Sequence, residues 1–378
     1  MLTPLQPDPM TQLQNRWYNT VVDSLHLSRN AFQLNVPVVP VATEDAAIWA
    51  YLNQIPPVSL TANQSQSDGN TFFDQYEAIA LQMQFPQSAF EQDIGEVNYQ
   101  AWMAYLATIN PPPQLSALPA LFRNWAMVKA PAVMAVGVAD LSNMVLINTA
   151  QIALLPYIEQ PAKPVDYMLG YQAMMSQVYN APSATVLFDS MAASSDVSNT
   201  WAKGVDFGVP GLWAGSSPHS RISRGFAASH VRAQLNLHAV SVWTSPPGAW
   251  YSSMMLHLAY SSQSSPPWPA DAFPNWQDEF GADGALPDAV GSLLIVNGLT
   301  LTVTTSHRFP AVDQLLINDN VQRGTWPLFS PNQSGVVSNQ AEFDNDGLLT
   351  LTTTVATGHP VVLGANVLAI NSYLGHGG

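Results

Sequence analysis

The spacing of apolar residues changes near the middle of the chain, and this change limits the folds that are open to it. In the first half, Leu13, Trp17, Val21 and Leu25 recur at every fourth position behind Asp8-Pro9. This spacing predicts one apolar face of an α-helix, and Asp followed by Pro is a favourable helix start. Further helices are predicted at residues 46–52, 72–83, 88–106, 115–128, 138–155 and 165–179.

In the second half, apolar and polar residues alternate at successive positions. Ala233, Leu235 and Leu237 alternate with Gln234 and Asn236, and this period of two predicts a strand with one buried face. Further strands are predicted at residues 251–260, 293–296, 299–303, 348–355 and 361–368.

These patterns predict an α+β fold, with a helical N-terminal half followed by an antiparallel β-sandwich or jelly-roll-like C-terminal half. The division falls at residue 180, which gives a mainly helical region 1–180 and a mainly antiparallel β region 181–378. Asn297-Gly298 lies between two predicted strands and favours a type I′ hairpin turn, because both residues accept positive φ angles.

The composition is poor in charge and lacks cysteine. Charged residues make up 10% of the chain, against about 25% in an ordinary globular protein. The 26 acidic and 11 basic residues give a formal net charge of -15, which predicts no charge-driven binding to nucleic acid. Without cysteine the chain has no disulfide and no thiol nucleophile. The phosphate-binding, dinucleotide-binding and zinc-protease motifs do not occur, and no cofactor is predicted.

Two long stretches contain no Lys, Arg, Asp or Glu at all: Ala233–Ala270 and Gly347–Gly378. Solvated strand faces usually carry charges, partly because charge blocks pairing between sheet edges. Uncharged polar side chains are easier to bury, since they need only a hydrogen-bond partner. The stretches therefore predict surfaces buried against copies of the same chain, or, alternatively, the deep core of one large domain.

Histidines of the second half suggest a metal site. If Ser245–Gly248 forms a turn between two strands, His238 and His257 become diagonal neighbours on one sheet face. Two imidazoles with a nearby carboxylate are a common metal-ligand set. The prediction depends on the strand register, because a slip of one residue places the two rings on opposite faces.

Basic residues cluster in a chain that has few of them. Lys203, Arg221, Arg224 and Arg232 lie within a short segment, which predicts an anion-binding site or a contact with an acidic neighbouring subunit.

Other motifs are weaker. Ser216, Ser217 and His219 share a loop but lack the context of a hydrolase nucleophile. Asp344–Gly347 resembles part of a calcium loop without its closing Glu, and a tight turn is the preferred interpretation. The tryptophans of the second half suit either sugar stacking or burial in a core.

The sequence therefore predicts a self-assembling structural protein, a shell or capsid-like subunit whose partners are copies of itself, without catalytic activity. The alternatives are a metal-dependent enzyme built on the histidine site and a membrane-acting or glycan-binding protein. Residues 127–155 are apolar but interrupted by Lys129, Pro131 and Asp140, so no membrane span is predicted. The start of the chain lacks signal-peptide features, which predicts cytoplasmic assembly or a virion.

Overall fold

The fold is described here by a computed structural model that covers residues 8–57, 71–160, 163–203, 210–264 and 266–375. Helices dominate the N-terminal half, and an antiparallel sheet of seven strands dominates the C-terminal half, so the predicted α+β class is confirmed.

The helices and strands of the described residues have the following bounds. The α-helices are α1 (Pro9–Ser24), α2 (Asp45–Leu52), α3 (Phe72–Gln82), α4 (Gln87–Ile94), α5 (Glu96–Leu106), α6 (Leu118–Lys129), α7 (Met134–Ile158), α8 (Tyr171–Tyr179), α9 (Arg221–Ala227), α10 (Ser253–Ser261), α11 (Trp276–Phe280), α12 (Ala311–Asn320) and α13 (Ile370–Tyr373). The strands are β1 (Phe32–Leu34), β2 (Ala184–Asp189), β3 (Val231–Leu237), β4 (Val240–Trp243), β5 (Asp288–Arg308), β6 (Val337–Phe343) and β7 (Leu348–Ala369).

The seven strands belong to one hydrogen-bonded sheet with the order β1-β7-β5-β3-β2. β4 pairs with the first part of β5, and β6 pairs with the first part of β7. β5 and β7 are 21 and 22 residues long, so each continues past one neighbour and pairs with another.

The predicted hairpin at Asn297-Gly298 is wrong, because both residues lie inside the continuous strand β5. Gly298 does have the positive φ of +80° that the motif favours. A side chain there would also collide, since an added Cβ would lie 2.6 Å from Cγ2 of Thr357 and 3.1 Å from Nδ1 of His238. Glycine is therefore required for a local kink in the strand and not for a chain reversal.

The predicted strand at residues 251–260 is also wrong, since this segment forms helix α10. The hydroxyl of Ser252 accepts a hydrogen bond from the backbone N–H of Met255 and caps the helix start. The Met, Leu and Ala residues that follow are good helix formers. Apolar residues in so short a segment fit either period, and here the cap and the propensities favoured the helix.

The chain divides into two compact units, and each unit takes residues from both halves of the sequence. The sheet unit comprises Met1–Asp68, Tyr167–Pro246 and Asp288–Leu368, and the helical unit comprises Gly69–Asp166, Pro247–Pro287 and Ala369–Gly378. The division at residue 180 therefore describes secondary-structure content, whereas compactness follows these discontinuous segments.

The sheet unit has a large core rich in aromatic rings. Trp326 is fully buried, and its ring centroid lies 5.7 Å from those of Trp17 and Phe188 and 5.8 Å from that of Phe226. Its indole N–H donates a hydrogen bond to Oε1 of Gln14 at 3.0 Å, so the one polar atom of the ring is satisfied.

The helical unit has its own core between α4, α5, α6 and α7. The rings of Trp102 and Phe122 pack edge to face at 5.1 Å, beside Phe90 and Trp125. Gly137 brings α7 close to this cluster, because a Cβ added there would lie 2.3 Å from the Phe122 ring. Close helix packing of this kind needs a residue without a side chain.

Candidate interaction surface

Helix α7 is long and nearly free of charge. It has 25 residues, and Asp140 is the only charged residue among them. The helix is buried at Gly137, Leu141, Ile147 and Leu154, which are separated by four, six and seven residues and face the core of the helical unit. Amphipathic surface helices normally place charged residues opposite such a face.

The exposed positions of α7 carry uncharged polar residues, such as Ser142 and Thr149, and also aliphatic side chains. Ile152 is 56% exposed, Leu155 is 43% exposed, and Val136 is also exposed. We call these three exposed residues the α7 outer face; Val136 lies near the start of the helix, and Ile152 and Leu155 lie within one turn of each other near its end. A surface helix normally directs its aliphatic side chains toward a core, whereas α7 leaves these three in solvent. An exposed apolar patch of this kind marks a site of contact with another molecule.

By length and composition, one helix in the described part of the chain is long and apolar enough to cross a membrane. It spans Pro131–Ile158 and so includes α7, and 22% of its most apolar window is buried. Core helices of soluble proteins pass the same test, but they are mostly buried.

A groove lies beside α7 in the helical unit and encloses about 640 Å³. Its walls are mainly apolar and aromatic, and the residues that form them include Phe90, Trp102, Met103, Met144 and Ile147. The side-chain amide of Gln151 lines the groove, but it already donates hydrogen bonds to the carbonyls of Ala80 and Met83. The groove therefore extends the apolar character of this side of the unit.

Asp140 lies on the inward side of α7 and is buried. Burial, reinforced by the neighbouring carboxylate of Asp93, raises the pKa of Asp140 to about 6. Its Oδ2 atom has no hydrogen-bond partner among the described residues. The one charged residue of the helix is therefore buried, and it ionises at a higher pH than an ordinary aspartate. It places no charge on the α7 outer face.

The predicted pairing of His238 with His257 does not form, because His257 lies in helix α10 and not in a strand beside β3. The two histidines also belong to different compact units. The metal-site prediction therefore loses the strand register on which it depended. In the described residues no group of three or more His, Cys, Asp or Glu side chains is arranged to hold a metal ion.

Two of the four residues in the predicted basic cluster pair with acidic side chains of the same chain. Arg221 pairs with the buried carboxylate of Asp313, and Nε of Arg232 lies 3.4 Å from Oδ2 of Asp189. Lys203 and Arg224 are exposed. The arginine pairs leave less positive charge for an external anion, and the prediction of an anion site or subunit contact stays a prediction.

The weaker motifs have structural roles in the described part of the chain. Oγ of Ser216 donates to the Trp213 carbonyl, and the ring of His219 contacts Oδ2 of Asp8 at 2.9 Å. Asp344 accepts backbone hydrogen bonds from Asp346 and Leu348, which closes the tight turn between β6 and β7. Trp243, Trp250 and Trp268 are buried, which favours the core interpretation over sugar stacking.

Burial within the chain itself explains much of the absence of charged residues from Ala233–Ala270 and Gly347–Gly378. β3 and β7 lie inside the sheet, each between two neighbouring strands. In β7, Leu349, Leu351 and Val355 are buried and the intervening Thr350 and Thr352 are only half-exposed. Interior strands have little room for charged side chains.

The α7 outer face is the stronger sign of an interface, and it was not predicted from the sequence. The feature of the sequence that could have indicated it is the nearly uncharged run after Lys129.

Comparison with known proteins gives no further guide, because no family model, no curated protein and no solved structure matches the chain. The class that the fold defines is α+β with an antiparallel sheet, and the function has to be inferred from the surfaces described above.

Proposed function

We propose that this protein is a self-assembling structural subunit, of the kind that builds a protein shell, and that its partners are copies of itself. The observation that carries the proposal is the α7 outer face. A free monomer would keep Ile152, Leu155 and Val136 in water, although each buried apolar Å² contributes roughly 25 cal/mol to association.

The charge of the chain supports an apolar contact over a charged one. At a net charge of -15, copies of the chain repel each other at long range. A contact through α7 brings no charged side chain of the helix to the interface, since Asp140 points inward. The contact therefore avoids the cost of burying like charges, and we expect assembly to strengthen with added salt.

A second candidate function has the same observation behind it. An apolar helix with one uncovered side also suits insertion into a lipid bilayer, which would make the protein membrane-acting. The buried carboxylate of Asp140 and the packed inward face both count against full insertion, because the helix would have to leave its core contacts.

The test is the native mass of the chain, measured by size-exclusion chromatography with light scattering. We expect the unaltered protein to have a mass of several subunits. The variant Ile152→Lys with Leu155→Lys places charges on the α7 outer face and should run as a smaller species. A matched control, Gln100→Lys with Ala104→Lys, adds the same charges to an exposed face of α5 and should assemble like the unaltered protein.

Three results decide between the candidates. A monomer at micromolar concentration, with no effect of the paired lysines, would contradict self-assembly. Leakage of neutral liposomes by the unaltered protein, abolished by Ile152→Lys with Leu155→Lys, would favour the membrane function. Intact liposomes together with a multimeric mass would support the shell subunit.

A further inference from the structure

We propose that the free edge of strand β2 pairs with the same strand of a second copy, antiparallel and around a twofold axis at Leu187. The inference rests on the proposed self-assembly and names a contact for it in the sheet unit. It concerns Ala184–Asp189, the outermost strand on its side of the sheet.

The hydrogen-bond pattern shows which backbone groups of β2 face outward. Ser190 donates its N–H to the carbonyl of Val231 on the β3 side at 2.9 Å. Backbone groups in an antiparallel pair point alternately toward and away from the neighbour, so Val186 and Phe188 also bond β3. Thr185 and Leu187 therefore direct their N–H and C=O groups to the free edge. No described residue forms a hydrogen bond with these groups.

This edge lacks the features that usually protect a strand from pairing. The segment has no Lys and no Pro, and its register with β3 runs through six consecutive pairs without a bulge. Leu187 is 68% exposed on the open face, and Met191 is exposed just beyond the strand. An exposed, regular and apolar edge is a template for another strand.

Asp189, the only charged residue of β2, is compensated within its own chain. Its carboxylate accepts hydrogen bonds from the backbone N–H of Met191 at 2.9 Å and contacts Nε2 of His230 at 2.8 Å. The Met191 bond, with His230 and Arg232, lowers the pKa of Asp189. The Asp189 carboxylate at the end of β2 is therefore balanced by neighbouring groups of its own chain, and it repels a second acidic chain less.

The edge is complementary to itself when the twofold axis passes through Leu187. The two copies then exchange N–H···O=C bonds between Leu187 and the partner subunit's Leu187. The N–H of Asp189 meets the carbonyl of the partner subunit's Thr185, while the Asp189 carbonyl already accepts from Ala192 and Ala193. An axis at Asp189 would instead oppose two carboxylates, and a slip of one residue would turn the buried side chains outward.

The test uses the absence of cysteine in this chain. In Leu187→Cys, the paired strands would hold the two Cα atoms about 5.5 Å apart, which is inside the range for a disulfide. Ser338→Cys is the matched control, because Ser338 is exposed on strand β6 of the same sheet and away from this edge. Under mild oxidation we expect Leu187→Cys to cross-link at least about tenfold faster than Ser338→Cys, since pairing raises the effective thiol concentration.

A second measurement tests the same contact without oxidation, by comparing the assembly of charged variants at Leu187. Leu187→Asp and Leu187→Lys place like charges opposite each other in the twofold pair, so each variant alone should lose this contact. An equimolar mixture should regain it, because the two charges then attract. Leu187 is exposed, so neither substitution should affect folding of the monomer.

The outcomes separate this contact from assembly as a whole. Equal cross-linking rates, with both charged variants assembling like the unaltered protein, would overturn β2 pairing and leave self-assembly standing. Rapid cross-linking in a protein whose largest species is a dimer would support β2 pairing and contradict the shell. Cross-linking at equal rates in a monomeric protein would overturn both.

Discussion

The two compact units place their apolar residues in different ways. In the sheet unit, alternation sorts apolar side chains to one face of each strand, and interior strands such as β3 and β7 are covered on both edges. In the helical unit, α7 buries some apolar residues in the core but leaves others, such as Ile152 and Leu155, exposed. Alternation lets a strand bury its apolar face within the chain, whereas the exposed apolar side chains of α7 are left to contact another surface.

The largest expected effect lies in the core of the sheet unit. Trp326→Ala should lower the free energy of unfolding by about 3–5 kcal/mol, because it opens a cavity against Trp17 and leaves Gln14 without its buried partner. Chemical denaturation followed by far-UV circular dichroism measures the loss. The half-exposed Trp49 is a control in the same unit, and Trp49→Ala should cost less. Equal losses would show that the aromatic core does not dominate the stability of the sheet unit.

A smaller effect tests how closely α7 packs in the helical unit. Gly137→Ala should destabilise the protein by about 1–3 kcal/mol, because the new Cβ collides with the Phe122 ring. Glycine to alanine normally stabilises a helix by about 1 kcal/mol, so the expected sign is the reverse of propensity. The exposed Ala139 provides the control, and Ala139→Gly should be destabilising by propensity alone. A stabilised Gly137→Ala variant would contradict the close packing.

A buried carboxyl of the helical unit gives a stability change that depends on pH. Burial, with the nearby Asp278, raises the pKa of Glu279 to about 7 from its ordinary 4.5. The folded state therefore binds this proton more tightly, and stability falls as the pH rises from about 4.5 through about 7. Glu279→Gln removes the cost and should raise stability by about 1–3 kcal/mol at pH 8.

The control measurement for Glu279→Gln is made at low pH. Near pH 5 the native Glu279 is already largely protonated in the folded state, so the gain in melting temperature should mostly disappear. The exposed Asp271→Asn variant provides a comparison that should change little at either pH. A gain of equal size at both pH values would mean that the benefit comes from packing and not from ionisation.

The smallest expected effect compares two isoleucines on opposite faces of α7. Ile152→Ala on the outer face should change the stability of the dissociated chain by less than about 0.5 kcal/mol. Ile147→Ala on the buried face should cost about 2–5 kcal/mol. Thermal melts over a range of protein concentrations measure both. If the chain assembles through α7, the cost of Ile152→Ala should grow with concentration, and a flat dependence would contradict that contact.

Local signals predicted the N-terminal helices well. α1 begins at Pro9 with the Asp8 side chain accepting from the N–H of Met10, and Leu13, Trp17 and Val21 are buried as the stripe predicts. The helix predicted to begin at residue 88 begins one residue earlier, since α4 starts at Gln87 with Pro86 at its N-cap. Helix caps and the spacing of apolar residues depend on a few neighbouring residues, so they can be recognised in a single sequence. The helix boundaries still shift by a residue or two.

Strand connections were harder to predict. β1, β2, β4 and β6 were missed. The predicted segments 293–296 and 299–303 join into β5, and 348–355 and 361–368 join into β7. Whether a positive-φ glycine reverses the chain or kinks a strand depends on the strands beside it, and those lie far away in the sequence. The strand register assumed for the histidine site is absent for a related reason, since His257 lies in helix α10 and not in a strand.

The sequence by itself determined the α+β class, the helices of the first half and the shortage of charge, because propensity, capping and periodicity act over a few residues. Only the tertiary structure decided that β3 and β7 are interior strands, that α7 leaves Ile152 and Leu155 in solvent and that β2 has a free edge. Exposure and strand neighbours depend on which distant segments meet, and no local pattern of side chains records that.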